Sequence, residues 1–109
     1  MELGSGVVEG GWEYLKVLWV SDNRYKGPAL IRGGQIDGEN EVRFQSGPDP
    51  AAQLELPEEG WAWSPDQEPG WREWPSYTRI RTPGCYAYQV DGIDFTLFVV
   101  FEAVLIASP

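Results

Sequence analysis

The chain has 109 residues, of which 42% are hydrophobic and 14% aromatic, with thirteen Gly, nine Pro and six Trp. That length fits one domain with one core, and the load of large apolar side chains excludes a disordered segment. A net charge of −9 argues against nucleic acid as a partner and against an anionic membrane surface. A basic partner or a divalent cation stays compatible with it, although acidity alone means little more than solubility.

Met1–Gly6 (MELGSG) reads as an appended linker, with the domain running over 7–109. Met1-Glu2-Leu3 lacks the basic region and apolar run of a secretory signal. Trp12–Val20 (WEYLKVLWV) alternates, with Glu13, Leu15, Val17 and Trp19 on one face, so it predicts a strand buried mainly on one side. Trp12 and Trp19 are expected in the core. A polar loop from Ser21 leads through Lys26-Gly27-Pro28 to a short strand, Ala29–Arg32, which Gly33-Gly34 is expected to break. Asp37-Gly38 marks a turn. Glu41–Gln45 then places Val42 and Phe44 inward, and Gln53–Leu56 places Leu54 and Leu56 on one face.

The stretch Pro57–Pro75 holds Trp61, Trp63, Trp71 and Trp74 among four Pro and two Gly. No period survives there, so it predicts a long loop, a kind that is often functional or packed by its own side chains. Alternation returns in Ser76–Arg81, with Thr78 and Ile80 opposite Tyr77, Arg79 and Arg81. Cys85–Val90 puts Tyr86, Tyr88 and Val90 on one side. Asp91-Gly92 predicts a tight two-residue hairpin link. The last strand, Ile93 to about Ile106, is apolar on both faces, as expected for a strand covered on both sides. At thirteen residues, the run Phe95 to Ala107, interrupted by Glu102, is too short to span a bilayer as a helix, so no membrane insertion is expected. The sum is an all-β antiparallel sandwich of about seven or eight strands.

The chemistry available is limited. His is absent and Cys85 is the one cysteine. Ser-His-Asp and Cys-His catalysis and Cys/His zinc sites therefore cannot be built from this chain. With no helix N-terminus predicted near it, Cys85 reads as a packed thiol. Asp37, Glu39 and Glu41, with Asp22, offer oxygen ligands for Ca²⁺, but the EF-hand spacing is lacking and a solvated turn explains them equally. A glycosidase needs two carboxylates facing across a cleft, and among seventeen acids some pair always exists. No catalytic residue, metal site or cofactor is therefore expected. The tryptophans are the candidate binding residues. Trp61, Trp63 and Trp71 could stack on a sugar ring or anchor a protein. The plainer alternative has Trp71 and Trp74 closing the end of the core, with Trp61 and Trp63 covering a sheet edge.

Thr82-Pro83-Gly84-Cys85-Tyr86-Ala87-Tyr88 resembles the E–F corner of immunoglobulin-like domains. The resemblance implies that the Tyr86 hydroxyl bonds back to upstream backbone and pins the corner. Tyr88 stands where antibody domains carry their second disulfide cysteine, so the antibody disulfide is missing. The longer pattern Trp74-Pro75-Ser76, Pro83-Gly84-Cys85-Tyr86, Gln89-Val90-Asp91-Gly92 and Val99-Val100-Phe101 is similar to the end of sandwich domains in bacterial exported or lipid-anchored proteins. That similarity covers the C-terminal third. It implies an extracytoplasmic bacterial setting and no particular activity. The expected role is structural or protein-binding, with an unknown protein as partner; the alternative is a module that binds polysaccharide through the loop tryptophans.

Overall fold

A computed structural model describes residues 1–4, 8–61 and 67–106. These residues form nine strands and no helix: β1 Glu2–Leu3, β2 Val8–Glu9, β3 Trp12–Ser21, β4 Ala29–Gln35, β5 Arg43–Phe44, β6 Leu54–Leu56, β7 Arg72–Ile80, β8 Gly84–Asp91 and β9 Thr96–Leu105. They make two packed sheets, one ordered β1-β9-β8-β4-β6 and the other β2-β3-β7-β5. The chain is therefore all-β, as its period-two patterning dictates.

Alternation sets which face meets the core. From the first sheet come Leu3, Ile31, Leu54, Leu56, Tyr86, Tyr88 and Ala103, and against them lie Phe44, Trp74 and Ile80 from the second, with Val42 beside them. One hydrogen bond and one aromatic contact tie the layers together inside this apolar volume. Thr78 Oγ1 and Tyr88 Oη share a buried hydrogen bond of 2.6 Å, and Trp19 meets Tyr88 edge-on at 4.9 Å. A buried polar group costs stability unless it is paired, and Thr78 and Tyr88 satisfy each other.

Several local expectations change. Residues 1–4 belong to the fold: β1 pairs with β9, and Leu3 sits in the core. Gly33-Gly34 does not break β4, which runs straight through to Gln35. A Cβ on Gly33 would lie 3.0 Å from the Ala87 carbonyl oxygen and 3.1 Å from Val42, so this glycine allows close approach rather than a turn. The strand expected from Ser76 begins earlier, at Arg72, and takes in Trp74 and Pro75. Pro75 is tolerated because its nitrogen faces away from β3. On that far side, the Glu73 carbonyl accepts from Trp61 N–H and the Tyr77 carbonyl from Gln45 N–H, which by alternation puts Pro75 there too. The β8–β9 link is longer than two residues. Asp91 pairs with Thr96, Gly92 N–H donates to the Phe95 carbonyl at 2.9 Å, and Phe95 packs edge-on to Tyr25 at 4.8 Å.

Two arginines fasten the periphery. Arg79 projects from the outer face of β7, yet it is fully buried under the 45–47 turn and Glu9. It donates to the carbonyls of Gln45, Gly47 and Glu9 at 2.9–3.1 Å and lies 3.9 Å over the Tyr14 ring. Arg72 does the same at the other end. Its guanidinium donates to Gly27, Glu58 and Tyr25 carbonyls at 2.7–2.9 Å and sits 4.8 Å from the Trp74 ring centroid. The rigid five-donor fork is suited to gathering several loop carbonyls at once.

Candidate functional site

Of the predicted binding residues, Trp61 and Trp71 lie among the described residues, and their rings are not in contact. Trp61 is 44% exposed and Trp71 40% exposed. Each is fixed by its own local backbone bond, Trp61 N–H to Glu73 O and Trp71 N–H to Glu68 O. Trp63 lies outside the described residues. Trp74 is buried in the core, its indole N–H donating to the Glu59 carbonyl at 3.2 Å. Trp12 is buried beneath Arg81, whose guanidinium lies 3.8 Å from its ring, and Trp19 packs partly buried against the core.

Trp61 borders a shallow groove of about 610 Å³ between the β4–β6 edge and the β8–β9 link. Leu30, Leu56 and Ile93 give it apolar walls, and Glu55 and Asp91 bring carboxylates to it. Asp91 is held below the usual carboxylate range by hydrogen bonds from Gln89 and Thr96 and by Arg32, 3.0 Å away.

Tyr86 is fully buried, and its hydroxyl donates to the Thr82 carbonyl at 2.7 Å, closing the turn between β7 and β8. Next to it, Cys85 N–H donates to Asp37 at 3.0 Å, which lowers the Asp37 pKa. The Cys85 thiol is pushed up, first by desolvation and then by the charges of Asp37 and Glu102. A nucleophilic thiolate requires the opposite shift. Glu41 is ion-paired to Arg43, and among the described residues no three acids or cysteines gather as metal ligands.

The largest departure from expectation is β9. Its apolar run predicts a strand covered on both faces, yet it is bare over most of its length. Phe98 and Val100 stand opposite Gln89 and Ala87 on the outer face of the sheet, 67% and 65% exposed. Leu97 and Val99 stand opposite Val90 and Tyr88, on the core-facing side, and are still 55% and 43% exposed. The second sheet does not reach over them. Instead, an apolar cleft of about 250 Å³ opens between the sheets, with Trp19 and Val20 on one wall and Leu97 and Val99 on the other. The sequence carried the signal, a run of Leu97-Phe98-Val99-Val100-Phe101 with no polar alternation. Such a run marks either a doubly covered strand or an exposed docking strand, and periodicity cannot separate the two.

Comparison with known proteins returns no matching family model, no similar curated protein and no similar solved structure.

Proposed function

We propose that this chain is a non-catalytic sandwich module of the immunoglobulin-like kind that binds another protein through the bare apolar surface of β9. The observation that carries the reading is the contiguous exposure of Leu97, Phe98, Val99 and Val100. Exposed apolar patches of this kind on a soluble domain mark sites of association. The immunoglobulin-like part is supported by the β2-β3-β7-β5 sheet, which follows the A-B-E-D neighbours, by β9-β8-β4, which follows G-F-C, and by the Tyr86 corner bond. One departure is instructive. Between β4 and β7 this chain visits the edge beside β7 first, as β5, and the edge beside β4 second, as β6; immunoglobulin variable domains visit them in the reverse order.

One part of the non-catalytic reading, the lack of a general acid at Asp22, Asp37 or Asp91, is supported by the direction in which these three carboxylates shift. Asp22, Asp37 and Asp91 are all lowered by hydrogen bonds, which suits fixed anions, whereas a general acid needs a raised value. The extracytoplasmic setting implied by the C-terminal resemblance goes with the proposal. Fractionation of source cells checks it, and recovery in the cytosol alone rejects it.

A photo-cross-linking residue at position 98, with position 16 on the other sheet as control, tests the main reading in source cells. A discrete protein adduct at 98 and none at 16 is expected, and equal labelling at both positions overturns it. One observation favours a second reading: Trp61 is exposed beside a groove that also holds Glu55 and Asp91, a planar ring with acceptors that can hold a sugar. Quenching of tryptophan fluorescence by one polysaccharide, abolished in Trp61→Ala, would put that reading first.

A further inference from the structure

Among the described residues the sandwich has an open edge on one side, where β9 and β3 lack a neighbour over most of their length. β1 covers β9 only at Val104 and Leu105, and β2 covers β3 only at Trp12 and Glu13. Beyond those pairs, no strand among the described residues lies beside Thr96–Phe101 or beside the rest of β3. The hydrogen bonds of β1 show which groups are left open. Val104 N–H donates to Met1 O, Ile106 N–H donates to Leu3 O, and Met1 N donates to Glu102 O. The even-numbered residues of β9 thus turn their backbone outward, and by alternation Thr96, Phe98 and Val100 present unpaired N–H and C=O groups along the edge.

We infer that this edge takes up an extended segment of another protein by strand addition. The inference rests on the protein-binding reading above and names its mode and the chemistry of the partner. Open backbone supplies the hydrogen bonds, and the cleft between the sheets supplies pockets for alternate side chains. The inward-facing Leu97 and Val99 remain half-exposed because that alternate set of side chains is missing. The cleft, at about 250 Å³, is below the usual range for a drug-sized ligand and suits side chains. Trp19 lines it, and its indole N–H is shut off from solvent with no acceptor among the described residues. The β3 edge is the poorer template because Lys16 stands exposed in its middle, and an edge lysine opposes pairing.

Charge selects the occupant. The bare stretch from Thr96 to Phe101 carries no charge, but exposed Asp94 precedes it and exposed Glu102 follows it, on a chain of net charge −9. The complementary partner is an extended segment with alternating apolar residues and Lys or Arg at its ends. A second copy of this acidic chain would set like charges together, which opposes self-pairing.

The test uses a synthetic peptide of alternating Val and Thr, roughly eight residues long as strands commonly are, with Lys at both ends. A control peptide ends in Glu. Binding is read by anisotropy, and amide exchange is followed on the native chain. The Lys peptide is expected to bind, to slow exchange at Thr96, Phe98 and Val100, and to outbind the Glu peptide. Val100→Pro removes one outward N–H while leaving the β8 ladder intact, and about tenfold weaker binding is expected. Leu18→Ser, at an exposed position on the other sheet, leaves the β9 edge intact and should change affinity less than about threefold. No protection at the three amides overturns strand addition, and that readout needs no variant. Loss of binding in Leu18→Ser but not in Val100→Pro overturns it as well, while leaving the cross-linking result at position 98, and so the protein-binding reading, standing. A free chain that sediments as a dimer through β9 makes a second copy the occupant and rejects the basic-partner inference.

Discussion

β8 and β9 are neighbours over eight residue pairs, and both are rich in apolar side chains, yet they meet opposite surroundings. Tyr86 and Tyr88 of β8 are buried at 0% and 3% exposure, whereas Phe98 and Val100 of β9 are bare. The difference lies in what stands across from them and beside them. β8 is flanked by β4 and β9 and roofed by β7 through Thr78 and by β3 through Trp19. Among the described residues, β9 has a neighbour on its second edge only at its last residues. Hydrophobicity makes both segments strands; position in the sandwich decides whether their side chains hold the fold or wait for something else.

The sharpest way to break this contrast is truncation on each strand. Tyr88→Ala should cost about 3–5 kcal/mol, as large aromatic truncations in a core do, because it opens a cavity and leaves Thr78 without its partner; denaturant unfolding measures it. A loss below about 1 kcal/mol would mean that β8 is not the supporting strand. Alkaline pH probes the same residue more gently. Burial pushes the Tyr88 hydroxyl up to about 12 from an ordinary value near 10. The folded state holds the proton more tightly, so stability is full below pH 10 and falls as pH climbs from there toward 12, by about 2–3 kcal/mol in all. Tyr88→Phe should flatten that part of the pH profile.

Tyr86→Phe removes one partly buried hydrogen bond and leaves the Thr82 carbonyl at the corner without its donor, an expected loss of about 1 kcal/mol. Smallest of all, Phe98→Ser should shift stability by no more than about 0.5 kcal/mol, as exposed positions do, while lowering the fluorescence of an apolar dye bound to the chain. A loss comparable to that of Tyr88→Ala would show that β9 is covered after all.

Most of the fold was legible in the sequence, because alternation in Trp12–Val20, Glu41–Gln45 and Cys85–Val90 names the inward residues directly. The Tyr86 corner was legible from its resemblance alone. Less legible were features set by neighbours distant in the chain. Gly33 is a glycine because Val42 and Ala87 press on it, and Arg79 is buried because Glu9 and the 45–47 turn fold over it. Neither contact has a local signature. The candidate surface was missed for the same reason. Leu97-Phe98-Val99-Val100 would read the same in a buried strand, and the more conspicuous tryptophans include Trp12 and Trp74, which are buried.

Pro75 has a further consequence. It withdraws a donor from the outer side of β7, where β5 is only two residues long, and β6 on the other far edge is only three residues long. The far flank thus offers no template of useful length. Any strand acquired on the β9 flank therefore ends the assembly, so the complex should form with one-to-one stoichiometry and should not elongate into fibres, however sticky the open flank is.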